Sequence, residues 1–392
     1  MKSLTKLSLA LAPMLGAFVS SQAAPVISLG DEMALHITGQ ASIRSESNVL
    51  LRSSNTKSDV AYQYTPGIEL DIGSVGITDF NGRVSYRYHI IDYQDISDLD
   101  TNNNDFTSTF VYKNASLKAT AALSYVELQT NTDVDYLDGS GLYSLQPGMV
   151  SRSVVNVSGY AEMSVSAKTK IGTGISYDGQ NYISGSGYSD FTSFSVPFDV
   201  YTAISPKTDV SIGYVYRPVS IGESSEVAAI DHKLSLGLRG ELMPKLTGYA
   251  SFGWIKRDAR GAGVASKSGL SFNARLNYAL SPLVDVGVRL MRDYSVSPIS
   301  ANTTTRTGLI FVGDYKIGRS FRAGAIMGYV KTEYLDFAGR TDDYLLAGVS
   351  MSYQPNEYLN VKASYTHNNN ESSMANLDYG NNILEVVASL RY

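Results

Sequence analysis

The sequence predicts an all-β protein, a transmembrane antiparallel up-and-down β-barrel of about eighteen strands. Three observations carry that prediction. Apolar and polar side chains alternate along segment after segment, short turns alternate with long polar stretches, and the chain ends on an alternating strand with an aromatic last residue. Successive side chains of a strand point to opposite faces. In a membrane barrel one face meets lipid and the other meets water, so both halves of the alternation have a physical cause.

The first such segment puts Leu35, Ile37, Gly39, Ala41 and Ile43 on one face and His36, Thr38, Gln40, Ser42 and Arg44 on the other. Val60, Tyr62, Tyr64, Ile68 and Leu70 repeat the pattern, as do Val84, Tyr86 and Tyr88 against Arg83, Ser85, Arg87 and His89. Later, Leu270, Phe272, Ala274, Leu276 and Tyr278 alternate with Ser271, Asn273, Arg275 and Asn277. Leu384, Val386, Ala388, Leu390 and Tyr392 close the chain. The segments around Thr107 to Tyr112 and Ile171 to Tyr177 are weaker, so sixteen strands also fits the count. A soluble β-propeller repeats near the same period but lacks the systematic polar face.

Turn signals near Lys113-Asn114, Ser205-Pro206-Lys207, Met243-Pro244-Lys245 and Gly318-Arg319-Ser320 mark one end of the cylinder. Long polar stretches mark the other, among them Ile96 to Asp105, Thr130 to Gly148, Tyr177 to Asp190, Pro218 to Asp231 and His367 to Asn382. Short turns belong to the periplasmic side and long loops to the outside. Tyrosine is frequent, at 28 residues, and many fall near strand ends, where amphipathic rings form girdles at the headgroup level.

The N-terminus carries an export signature. Lys2 and Lys6 precede an apolar run from Leu7 to Val19, and Ser21-Gln22-Ala23 supplies small residues for cleavage. We assign residues 1–23 to a signal peptide and residues 24–392 to the barrel. The run is too short to serve comfortably as a membrane anchor. Zero cysteines remove disulfide and zinc-thiolate frameworks, and a formal charge of −5 argues against nucleic-acid binding.

Short motifs in the first third carry a family resemblance. They are Glu46-Ser47-Asn48-Val49, Thr65-Pro66-Gly67-Ile68-Glu69-Leu70, Ser85-Tyr86-Arg87-Tyr88 and Asp92-Tyr93-Gln94-Asp95. In these the chain resembles the putative β-barrel porin 2 family. The resemblance implies an outer-membrane location and a part in exopolysaccharide transport, with no catalytic residues. The last strand, ending on Tyr392, resembles the terminal signal read by the barrel-assembly machinery, although Phe is the usual last residue. Expected partners are therefore outer-membrane lipid, lipopolysaccharide, that machinery, and hydrophilic solutes or polysaccharide. No cofactor or metal is implied.

A barrel of this size encloses an aqueous channel unless something fills it. Arg44, Arg83, Arg87, Arg275, Arg289 and Arg306 fall on polar, inward faces. Arg275 and Arg289 are equidistant from Pro282, so they should oppose each other across a hairpin, and opposed like charges destabilise a strand pair. With Arg306 they form a candidate basic stripe favouring anionic or uronic-acid-containing solutes; pairing with Asp285 and Asp314 is the alternative. The loop from Thr130 to Gly148, carrying Asp133, Asp135 and Asp138, is a candidate constriction or else a solvated loop.

Catalysis finds little support. Of four histidines (His36, His89, His232 and His367), only His89 has a nearby candidate partner, Asp92, and no motif surrounds it. The competing function is a closed surface barrel that acts through its external loops as an adhesin or binding protein.

Overall fold

The computed structural model describes residues 25–392 apart from 29, 31, 74–77, 131–149, 183–187, 223–226, 261–265, 297–302 and 336–338. Eighteen long strands run antiparallel to their neighbours. They are β2 (Met33–Glu46), β3 (Asp59–Ile72), β4 (Phe80–Tyr93), β5 (Thr101–Lys113), β6 (Leu117–Thr130) and β7 (Val150–Ser164). Then come β8 (Thr169–Tyr182), β9 (Phe191–Ser205), β10 (Thr208–Ile221), β11 (Val227–Met243), β12 (Leu246–Ala259) and β13 (Lys267–Ala279). The series ends with β14 (Val284–Val296), β15 (Thr303–Ile317), β16 (Phe321–Tyr334), β17 (Thr341–Tyr353), β18 (Leu359–Ser372) and β19 (Tyr379–Arg391).

Closure comes from β19 pairing with β2, from Ile383 opposite Glu46 to Arg391 opposite Thr38. Where β19 stops, a two-residue strand β1 (Ile27–Ser28) takes over the edge of β2, with Ile27 opposite Leu35. Tyr392 finishes the seam by exchanging backbone hydrogen bonds with Ile37, at 2.8 and 2.9 Å. Its ring lies 5.5 Å from that of Tyr358 in the preceding turn.

The lipid face follows the predicted alternation. Ile37, Ile43, Leu234, Leu236, Phe252 and Met327 are among the exposed large apolar residues. Exposed aromatics sit at two levels: Tyr64, Tyr216, Trp254 and Tyr329 in the extracellular half, and Tyr112, Tyr278, Phe321 and Tyr353 near the turns. That is the double girdle a bilayer selects.

The expected count of about eighteen strands holds, and one expectation changes. Both weak segments are full strands, β5 and β8, so the count is eighteen. The strands reach further outward than their apolar runs. Tyr177 to Tyr182 belongs to β8, Pro218 to Ile221 to β10, and His367 to Ser372 to β18. The ends of β8 and β18 are polar on both faces because they stand above the hydrocarbon, where the period-two signal has no lipid to sustain it. Backbone pairing alone carries the ladder onward.

Candidate pore lining and mouth

The inner wall is built from the alternate residues of each strand, and register fixes which of them meet. One row crosses Asp209, Arg239, Tyr249, Arg275 and Arg289 on five successive strands, β10 to β14. Arg275 therefore stands directly opposite Arg289, as the spacing about Pro282 predicts. Both are half-buried. Beside them the Tyr249 hydroxyl donates to Asn273 Oδ1 at 3.1 Å. Asp285 and Asp314 lie towards the turns and oppose each other, and Asp285 contacts Lys316 at 3.6 Å.

Arg306 is not a neighbour of that pair. Arg289 opposes Ile310, and Arg306 lies four residues further towards the outside, opposite Asp293 and 1 % exposed. It adjoins a dense ionic knot. Asp231 accepts from Arg257 Nε (2.6 Å) and Nη2 (2.8 Å) and pairs with Arg217 at 2.8 Å. Arg217 continues to Asp293 at 3.0 Å, where Lys233 also approaches to 3.5 Å. Arg257 spends a third nitrogen on the Ser295 carbonyl at 3.0 Å. Buried charges persist only when hydrogen-bonded in this way.

The remaining arginine candidates are each held by neighbouring carboxylates. Arg44 pairs with Glu46 at 2.9 Å, Arg83 with Asp71 at 2.6 Å, and Arg87 with Asp105 at 2.9 Å. Arg391 adds bridges of 2.6 Å to both Glu69 and Asp71. The Arg83 and Arg87 pairs tie adjacent strands, the Arg44 pair lies within β2, and Arg391 of β19 reaches past β2 to β3.

A longer tie crosses the lumen side of β8, β9 and β10. Arg239 donates to both Glu162 oxygens, at 2.8 and 2.7 Å, and to Asp209 at 3.1 Å. Its guanidinium carbon lies 3.5 Å from the centre of the Tyr201 ring. Glu162 is on β7 and Arg239 on β11, so the contact subtends four strand spacings, about 19 Å of wall. The wall must curve tightly there. Tyr160 shares the cluster, donating to Asp199 at 2.8 Å, and glycine makes its path possible. A Cβ on Gly172 would lie 2.0 Å from the Tyr160 oxygen.

Part of the inner wall is not polar. Met291, Ile310, Ile326, Val330, Tyr344 and Leu346 form a buried cluster on β14 to β17. Several of the large residues are set against glycine: Gly308 opposes Met291 and Val330, and Gly328 opposes Ile310 and Leu346. Large-against-small pairing lets these chains lie flat and exclude water. The sequence shows this only as runs apolar on both faces, such as Leu309-Ile310-Phe311-Val312.

The mouth is partly filled over β2 to β4. The segment after β2 turns inward, so that Val49 packs on the inward-facing Ala61, Ile91 and Tyr93, with Leu50 against them and Leu99 from the short 3-10 turn Ser97–Leu99. Val49 is 0 % exposed and Leu51 2 %. An amide clamp holds it. The Asn48 backbone donates to Asn381 Oδ1 at 3.0 Å, and the Asn48 side chain donates to Gly380 O and Arg52 O. Asn381 donates in turn to Glu46 Oε2 at 2.9 Å. Leu51 sits at φ 46°, left-handed for a residue with a Cβ. The signal for this feature was an apolar Val49-Leu50-Leu51 run inside a polar loop. The sequence-based candidate, Asp133, Asp135 and Asp138, lies outside the described residues.

The pair weighed from the sequence, His89 with Asp92, is not brought together. His89 faces inward, with Gln63 and Thr65 at 3.0 Å from Nδ1 and Asp105 at 3.7 Å from Nε2. Asp92, three residues on, faces the opposite side. His36 is buried 3.6 Å from Asp71, while His232 and His367 meet Tyr214 and Asn382. Among the described residues no group of three acidic or histidine side chains is placed to hold a metal ion.

Residues 229–392 match the family described as Putative beta-barrel porin 2. The match falls on the C-terminal strands rather than on the first third, where the short motifs lie. Curated proteins yield no match. Among solved structures, the FrpB iron transporter from Neisseria meningitidis (F5-1 variant, apoprotein form) is 10 % identical with a TM-score of 0.50, covering 95 % of this chain and 83 % of that one. OccAB4 from Acinetobacter baumannii is 10 % identical, with a TM-score of 0.49 and coverage of 92 % and 98 %. The outer membrane protein opdK from Pseudomonas aeruginosa is 12 % identical, with a TM-score of 0.47 and coverage of 91 % and 99 %. These likenesses concern the fold. The family match describes a porin-like outer-membrane barrel.

Proposed function

We propose that this barrel is a channel for hydrophilic solutes and that Arg275 and Arg289 bias it towards anionic ones, saccharides bearing uronic acids included. The observation that carries the reading is their direct opposition on the lumen side of one hairpin. Two facing guanidinium groups repel. An anion between them replaces repulsion with charge-assisted hydrogen bonds, which arginine forms in bidentate geometry. Tyr249 and Asn273 stand beside the pair as neutral hydrogen-bonding groups. Arg306, buried four residues further outward beside the ionic knot, is left out of the filter.

Planar-bilayer recording tests this. Wild-type protein should conduct, and Arg275→Ser/Arg289→Ser should lower the anion-to-cation permeability ratio several-fold. An unchanged ratio overturns the filter. Export of exopolysaccharide, the role implied by the family, predicts that deleting the gene depletes polysaccharide at the cell surface. We also propose cleavage after Ala23, checked by N-terminal sequencing of the mature protein. Recognition of the last strand by the assembly machinery predicts that removing Tyr392 lowers the amount of folded barrel in the membrane.

A second reading is favoured by the inward-turned segment at Val49 and Leu51: a surface barrel working through its external loops as an adhesin or binding protein. It predicts no conductance from correctly folded protein.

A further inference from the structure

We propose that the outer wall of β12 to β16 is a binding face for the phosphate groups of outer-leaflet glycolipid, read by Lys256, Arg292 and Lys331. These three are the strand-borne lysine and arginine side chains on the lipid-facing side among the described residues. Every other lysine or arginine within those strands falls on the lumen parity. Lys256 shares its face with Trp254, Arg292 with Leu290, and Lys331 with Tyr329. All three sit in the outer part of their strands, within two residues of one level. Counted from the turn end, Lys256 is the eleventh residue of β12, Arg292 the ninth of β14 and Lys331 the eleventh of β16.

That height is just above the outer aromatic girdle of Trp254 and Tyr329. A charge on the lipid face is strongly disfavoured at mid-bilayer and tolerated at the interface. The three cations therefore meet headgroups rather than acyl chains. They occupy alternate strands: Arg292 and Lys331 share one cross-strand row through Thr307, about 10 Å apart, whereas Lys256 lies four residues beyond the point where that row crosses β12, about 16 Å from Arg292. The remaining circumference carries carboxylates at this level, Asp92 on β4 and Glu127 on β6, without a lipid-facing lysine or arginine.

Protein carboxylates answer the cations only in part. Lys256 contacts Asp258 at 2.8 Å. Glu333 is shared between Arg292 at 3.6 Å and Lys331 at 3.8 Å, both long for ion pairs. Arg292 Nη1 donates to Thr307 Oγ1 at 2.6 Å, which aims the guanidinium along the row towards Lys331. Thr307 opposes both Arg292 and Lys331 in register, and Asp343 follows on β17 with the Tyr329 hydroxyl on its carboxylate. Exposure of 33 % at Arg292 and 40 % at Lys331 leaves both open to a headgroup. Phosphate, with several acceptor oxygens and more than one charge, outcompetes a single shared carboxylate.

The test uses the full-length barrel in detergent micelles with purified bisphosphorylated lipid A. Wild type should bind it and gain several degrees in melting temperature. Lys256→Gln/Arg292→Gln/Lys331→Gln should weaken binding at least ten-fold while conductance stays at the wild-type level, which keeps this result separate from the channel reading. Arg292→Gln alone should weaken it several-fold, and serves if the triple variant folds poorly. Equal binding by wild type and variants overturns the proposal. So does equal binding of enzymatically dephosphorylated lipid A, which would leave the cations as partners of Asp258 and Glu333 only.

Discussion

The two arginine-rich stretches of the inner wall look alike in sequence and differ in kind. Around Asp231, on β10 to β14, every guanidinium is committed: Arg257 and Asp231 are each 1 % exposed and joined by two short hydrogen bonds. Further down the same strands, Arg275 and Arg289 face each other half-buried at the lumen surface. The first arrangement holds the wall together; the second, in the reading proposed above, presents charge to the channel. Inward arginine alone therefore does not mark a filter. What marks one is like charge set against like charge where the lumen can reach it.

The comparison breaks most visibly at the knot. Asp231→Ala strands two buried guanidinium groups and should cost about 3–5 kcal/mol, measured by urea unfolding in vesicles with gel mobility as readout. A loss under about 1 kcal/mol would show the knot to be incidental. Glu162→Gln, at the long tie to Arg239, should cost about 2 kcal/mol through a weakened charge-assisted hydrogen bond. Single-channel current should rise with it as the tightly curved wall relaxes. Asn48→Ala removes the side-chain hydrogen bonds of the mouth clamp, to Arg52 O and Gly380 O and from Arg52 N, and should cost about 1 kcal/mol, with more frequent openings in bilayer recordings. Arg275→Ser/Arg289→Ser should change stability least, by under about 1 kcal/mol and towards greater stability as repulsion is lost. A marked destabilisation there would place the pair with the structural arginines.

These residues also show how much could be read beforehand. The Arg275–Arg289 opposition was legible because a hairpin pairs residues at equal distance from its turn, so register is a local property. Glu162 and Arg239 are 77 positions apart, and nothing in either neighbourhood names the other. Val49 and Leu51 were visible as an apolar run in a polar loop, but not the surface Val49 covers. Arg306 was assigned to the wrong company because its partner, Asp293, depends on the register of the next hairpin along.

The sequence by itself determined the lipid face, the strand directions and the near-complete strand count, since water and hydrocarbon impose a two-residue period wherever they lie on opposite sides of one sheet. Only the tertiary structure decided the inner face. There, side chains answer to partners several strands away around a closed curve. Lumen residues meet water, one another or an infolded loop according to how that curve bends, and no local rule along the chain encodes the bend.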